Sequence, residues 1–214
     1  MTSRIHEYMN NMMILSFVSQ KGGSGKTTLS VNFAALAFGH NIPVAIIDLD
    51  PQASASAWGA MRGEGIKVEA CHPPLLIRTL EFLKNDGCQL VIIDTPPHNS
   101  TAAANAIRVS DFVVIPVRPA SFDLAAVSDT IELIKANNRN AGFVINSVPP
   151  NTTVAESAEK ILQESGLKIL GYVGQRMNIQ HALTAGRGVV EADPKSQSSK
   201  EIIDIWNKIV EKVT

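Results

Sequence analysis

Cysteine is scarce in this sequence: Cys71 and Cys88 are the two present, and they do not form a C-x-x-C pair. No secretory signal stands ahead of them, so reduced thiols in the cytoplasm are the simplest reading. Long apolar runs are lacking too. Hydrophobic stretches are short and broken by polar residues, and none is read as a membrane span. Excess charge is missing as well: the formal net charge is −1. No whole-molecule field therefore draws the chain to nucleic acid or to an acidic membrane, and any basic surface has to be local. Internal repeats and low-complexity linkers are absent. What remains is an ordinary globular mixture, 45% hydrophobic and 18% charged. Its 214 residues suffice for one well-buried domain and are too few for two of ordinary size.

Residues 1–12 lack periodicity and read as a loose extension, with Met9, Met12 and Met13 as alternative starts. Over 13–214, apolar runs of strand length alternate with helix-length segments. The strand candidates are Ile14–Val18, Val44–Asp48, Lys67–Cys71, Leu90–Asp94, Phe112–Val117, Gly142–Ser147 and Lys168–Val173. Several are continuous rather than alternating, as in Val91-Ile92-Ile93, which suits strands covered by helices on both faces. Helices are expected over Thr27–Phe38, stopped by Gly39, and Pro74–Asp86, stopped by Gly87. Others are expected over Ser121–Asn137, Thr152–Ser165 and Ser196–Val213. The alternation predicts a single α/β domain with a doubly wound, mostly parallel sheet.

The segment Lys21-Gly22-Gly23-Ser24-Gly25-Lys26-Thr27-Thr28 follows the first strand and opens the first helix. Glycines at 22, 23 and 25 let the backbone turn tightly and aim successive N–H groups inward, an anion-binding nest. The helix adds its positive end to the same place. Lys26 brings a full charge to β- and γ-phosphates, and Thr27 offers a hydroxyl to Mg²⁺. The pattern is that of a P-loop, with Gln20 in place of its first glycine and a second lysine, Lys21, inside it. Lys21 sits too near the loop's start to fold back on the γ-phosphate that Lys26 serves; the plain alternative is a solvated charge.

Two more strands end in carboxylates. Asp48 and Asp50 close Ile46-Ile47-Asp48-Leu49-Asp50, and the carboxyl ends of parallel strands face the ligand crevice. The competing reading for both is a cap on the next helix. Asp94 ends Leu90-Val91-Ile92-Ile93-Asp94, a buried strand delivering a carboxylate to a Mg²⁺-bound water, as in a Walker B segment. His98 has no evident catalytic partner and reads as a surface residue.

The run KGGxGK[ST] resembles the deviant Walker A loop of the ParA/MinD family of partitioning and positioning ATPases. The resemblance covers nearly the whole chain from Met13 and is nearest to the small single-domain ParA group. It implies that ATP with Mg²⁺ is bound and hydrolysed, and that Lys21 reaches across a homodimer to phosphates held by the partner subunit. By the match of Asp48-Leu49-Asp50-Pro51-Gln52 to switch I, Asp50 orients the attacking water and Asp48 supports the Mg²⁺ shell. Thr95-Pro96-Pro97-His98 is similar to switch II. Asn146 falls where the family reads adenine through a side-chain amide, the competing reading being a strand-end turn before Pro149-Pro150. Arg176 is a further candidate for the base. Ile115-Pro116-Val117-Arg118-Pro119-Ala120-Ser121-Phe122-Asp123 is similar to a proline-bearing stretch near the nucleotide and the dimer face.

The same group binds duplex DNA without sequence preference, and a ParB-like adaptor triggers hydrolysis, so a plasmid or chromosome region is moved over the nucleoid. Candidate DNA contacts are Arg187, Lys195 and Lys200, with Arg176 and Lys208; a solvated face is the competing reading. A positioner of a microcompartment or other protein cluster would carry identical motifs. The last helix mixes Glu201, Asp204 and Glu211 with Lys200, Lys208 and Lys212. It reads as packed on the sheet rather than as the basic membrane anchor of MinD. No room precedes the loop for a helix-turn-helix module, and Cys71 and Cys88 lie far from Thr95–Thr101, against an iron–sulfur carrier. A metabolic P-loop enzyme would have no use for Lys21.

Overall fold

A computed structural model of the chain describes residues 12–98, 100–119 and 127–213. Among these, one sheet is built from β1 (Met13–Phe17), β2 (Val44–Asp48), β3 (Lys67–Ala70), β4 (Leu90–Asp94), β5 (Phe112–Val117), β6 (Asn140–Val148) and β7 (Lys168–Gly174). The strand order is β3-β2-β4-β1-β5-β6-β7, and every pairing is parallel. The doubly wound parallel sheet expected from the alternation is the observed architecture.

The connecting helices are α1 (Lys26–Gly39), α2 (Ser54–Arg62), α3 (Leu76–Asn85, after a short 3₁₀ turn at Pro73–Leu75), α4 (Ser100–Val109) and α5 (Ser128–Ala136). They continue with α6 (Val154–Gln163), α7 (Met177–Thr184), α8 (Val189–Ala192) and α9 (Gln197–Val213). The extension expected over 1–12 lies, apart from Met12, outside the described residues. So do 120–123 of the proline-bearing stretch and the first part of the helix expected over 121–137.

Neighbouring residues of each central strand feed opposite cores, which is why those strands read as unbroken aliphatic runs. Val44 and Ile46 face α1, α2, α7, α8 and α9, together with Leu15, Phe17 and Val114. Ala45 and Ile47 face α3 and α4, while Val113, Ile115 and Val117 face α4, α5 and α6. The first core is anchored by rings: Phe17 meets Phe33 edge-on at 5.3 Å, and Phe33 meets Trp206 at 5.9 Å. Trp206, Ile202, Ile205 and Ile209 are all buried, so the apolar side of α9 is spent on the sheet.

β1 lies between β4 and β5, the point where the winding reverses direction. In an open parallel sheet the crevice forms there, beyond the carboxyl ends of the strands.

Candidate functional site: an anion cradle beyond the strand ends

The turn between β1 and α1 leaves a helix N-terminus uncapped. The N-cap of α1 is Gly25 in a left-handed conformation (φ 99, ψ 23), with no capping side chain and no acid in the first turn. Its first amides and its positive dipole end are left for an anion. Gly25 has no substitute: a Cβ there would stand 1.9 Å from Asn146 Nδ2. Asn146 reaches in from the end of β6 and donates Nδ2 to the Ser24 carbonyl at 2.8 Å, so a second strand pins the loop. Ser24 Oγ is buried and has no hydrogen-bond partner among the described residues. An orphan hydroxyl in such a loop is a donor waiting for an acceptor.

Lys26 is only 6% exposed, and its Nζ donates to the Lys21 carbonyl at 3.1 Å. Burial holds its pKa below the ordinary lysine value, while Asp94 and Asp50 pull it back up. Thr27 Oγ1 donates to Asp94 Oδ2 at 2.6 Å, and Ser30 Oγ donates to Oδ1 at 3.2 Å. Asp94 is fully buried. That burial pushes its carboxyl up to about 7, against the hydroxyl of Thr27 and the charge of Lys26, with Asp48 adding to the rise. A hard cation at this pair would hold Asp94 ionised. No group of three or more His, Cys, Asp or Glu suited to a metal occurs among the described residues. The hydroxyl of Thr27 and the carboxyl of Asp94 are hard oxygen donors, a set that fits an ion keeping most of its waters, as Mg²⁺ does.

Asp48 stands behind the cleft rather than in its wall. Its Oδ1 accepts from Asp50 N at 3.0 Å; its Oδ2 accepts from Ser56 N at 2.9 Å and Ser56 Oγ at 3.0 Å. It thus ties the N-terminus of α2 to the end of β2. Asp50 does face the cleft, and its Oδ1 takes the Gln52 amide at 2.9 Å.

The cleft itself holds about 420 Å³ and gathers Gly22, Gly23, Gly25, Lys26, Thr27, Thr28, Asp50, Asn146 and Arg176 of the expected residues. Lys21 and Ser24 line a narrow recess on the loop's other side. Arg176 pairs with Glu201 of α9 through two bonds, 2.6 and 2.9 Å, and Glu201 also takes the Gly174 amide at 3.0 Å. Residues that the sequence reading leaves unassigned also contribute. Ser30 lies three past Thr27, on the same helix face, a spacing that could have flagged it. Ser56 lies eight residues from its Asp48 partner, which no local pattern signals. Arg118, from the end of β5, lines both the cleft and the recess.

Residues 15–189 match the family described as the CobQ/CobB/MinD/ParA nucleotide binding domain. The chain belongs to that family. Among its relatives, a maintenance of carboxysome distribution protein A from Gloeobacter kilaueensis is 33% identical over 160 residues, covering 72% of each chain. The chromosome-partitioning ATPase Soj of Thermus thermophilus is 26% identical, over 85% of this chain and 89% of its own. The fold matches the MinC:MinD cell division protein complex of Aquifex aeolicus with a TM-score of 0.77, at 19% identity, over 94% of this chain and 96% of that one. The protein is thus a ParA/MinD-family ATPase.

Proposed function

We propose that this chain is an ATP-switched positioning ATPase: it binds Mg·ATP, closes into a homodimer, holds duplex DNA without sequence preference and lets go when a partner protein triggers hydrolysis. The observation that carries this reading is the uncapped α1 N-terminus with Lys26, Thr27 and Asp94 grouped around it. Loop amides and Lys26 bind the β- and γ-phosphates. Mg²⁺, when bound by Thr27 and Asp94, offsets the charge of the same oxygens. Asp50 orients the attacking water, and Asp48 holds the segment that carries Asp50. Lys21 serves the partner subunit's nucleotide, adding charge in trans where negative charge develops in the transition state. Asn146 braces the loop and leaves its Oδ1 for the adenine amine. Arg176, tied to Glu201, walls the base end.

For DNA, Arg187, Lys195, Lys200 and Lys208 are exposed, whereas Arg176 is committed to Glu201. No helix among the described residues is long and apolar enough to cross a membrane, and the protein works in the cytoplasm on the nucleoid. Two cargoes suit such a switch. Plasmid or chromosome DNA, delivered by a ParB-like adaptor, is the first. A protein assembly is the second, favoured by the 33% identity to a carboxysome distribution protein.

The deciding experiment is a duplex-DNA mobility shift with ATP against ADP across a salt series. A shift that needs ATP and weakens steeply with salt is expected, because phosphate contacts release counterions. Binding that ignores the nucleotide, or no binding, would sink the switch. Deletion of the gene then separates the cargoes, by plasmid loss on one reading and by clumped protein foci on the other.

A further inference from the structure

Among the described residues, three positively charged side chains line the phosphate cleft: Lys26, Arg118 and Arg176. Two are accounted for, Lys26 by the Lys21 carbonyl and Arg176 by both oxygens of Glu201. Arg118 differs. It is exposed, and among the described residues its guanidinium has neither an ion pair nor a hydrogen bond.

Its place is set by the sheet. β5 pairs with β1 in register, Phe17 beside Val114, and Val18 N bonds to the Val114 carbonyl at 3.0 Å. Continuing both chains past that point brings Arg118 level with the phosphate loop. Pro116 and Pro119 stiffen the backbone on either side of it. The guanidinium lies over Gly23, its Nη2, Cζ and Nη1 atoms 3.6 to 3.8 Å from where a Cβ would be. Gly23 is left-handed, φ 72, so glycine is favoured there on backbone grounds, and the guanidinium lies at ordinary contact distance above it. A planar five-donor fork beside loop amides, with no carboxylate paired to it among the described residues, is matched to a phosphate group.

We propose that Arg118 is a phosphate-binding residue of this chain's own cleft: its guanidinium bonds to the terminal phosphate of the nucleoside triphosphate. A single subunit then tells triphosphate from diphosphate before a second copy arrives. The inference rests on the reading of the cleft as a triphosphate site. It concerns a contact within one subunit, separate from that of Lys21.

The test is calorimetric titration of the full-length chain with a non-hydrolysable ATP analogue and with ADP, each with Mg²⁺. All variants carry Lys21→Ala, so that loss of dimers cannot imitate loss of the contact. Arg118→Gln should weaken the analogue on the order of tenfold, the worth of a charge-assisted bond, and leave ADP within about twofold. Arg118→Lys should recover only part, because an ammonium lacks the fork. Equal weakening of both nucleotides by Arg118→Gln, or no weakening, would overturn the proposal. Lys26→Ala serves as the control for the cleft. If it binds both nucleotides normally, the triphosphate site itself is wrong and the Arg118 contact goes with it. If it binds neither while Arg118→Gln binds both normally, only the Arg118 contact is wrong.

Discussion

Asp94 is a carboxyl group whose surroundings work against its charge. Burial raises it from 3.8 to about 7, so between those values the folded chain holds a proton that the unfolded chain has released. Its contribution to stability is therefore present at low pH and lost as pH climbs towards 7. Binding a cation asks for the opposite, since the carboxylate must be ionised first. Mg²⁺ affinity of the nucleotide complex should fall below pH 7, approaching about tenfold per pH unit, as read by Mg²⁺ titrations at pH 6 and pH 8. Asp94→Asn should abolish that slope, and an unchanged slope would remove Asp94 from the metal site. On the same proposal Thr27 would share the task, and its hydroxyl, which donates to Asp94 at 2.6 Å, would turn its oxygen towards the ion. Not all of this was legible residue by residue. The loop glycines, Lys26, Thr27 and Asp94 announce themselves through strand-loop-helix context. Asp48 is legible only as a choice of two readings, and its bonds to Asp50 N and to Ser56 in the first turn of α2 are those of the competing one, a cap on the next helix.

At the scale of elements, legibility followed hydrophobic pattern. β2, β4 and β5 start and stop where the aliphatic runs do, because central strands buried on both faces leave no room for polar residues. α2, α4, α7 and α8 were not foreseen. α2 reads Ser-Ala-Ser-Ala-Trp-Gly-Ala-Met-Arg and buries only Ala55 and Trp58, too little to make a stripe. α8 has four residues. α1 does stop at Gly39, which is its last helical residue; the C-cap is His40, and the left-handed position falls on Asn41 at φ 60. α9 is the opposite case, its apolar side visible in sequence and buried in the fold. Trp206→Ala should cost roughly 3–5 kcal/mol in urea unfolding, the range for emptying a large buried ring site. Trp206→Phe should cost clearly less. Its indole nitrogen is buried with no hydrogen-bond partner among the described residues, so phenylalanine also removes an unsatisfied donor. Equal losses for both variants would show that α9 does not hold the core through this ring.

For the molecule as a whole, the loop after β1 sets its two lysines on different sides. Lys26 is buried against the loop, and Lys21 sits on the recess side, away from the main cleft. Lys21→Ala should therefore spare ADP binding and prevent ATP-driven dimers, measured by sedimentation with the non-hydrolysable analogue. Dimers of normal stability would exclude a role for Lys21 across the interface. The DNA shift should vanish with the dimer, since pairing doubles whatever cations one subunit offers.

Both tryptophans of the chain, Trp58 and Trp206, ride on helices mechanically joined to the nucleotide cleft. Trp58 is on α2, the helix roped to Asp48 through Ser56. Trp206 leans on Phe33 and shares α9 with Glu201, which clasps Arg176 and Gly174. Native indole emission, with no dye attached, should therefore respond to nucleotide from two sides, and exchanging one ring at a time for phenylalanine should assign the response to one flank.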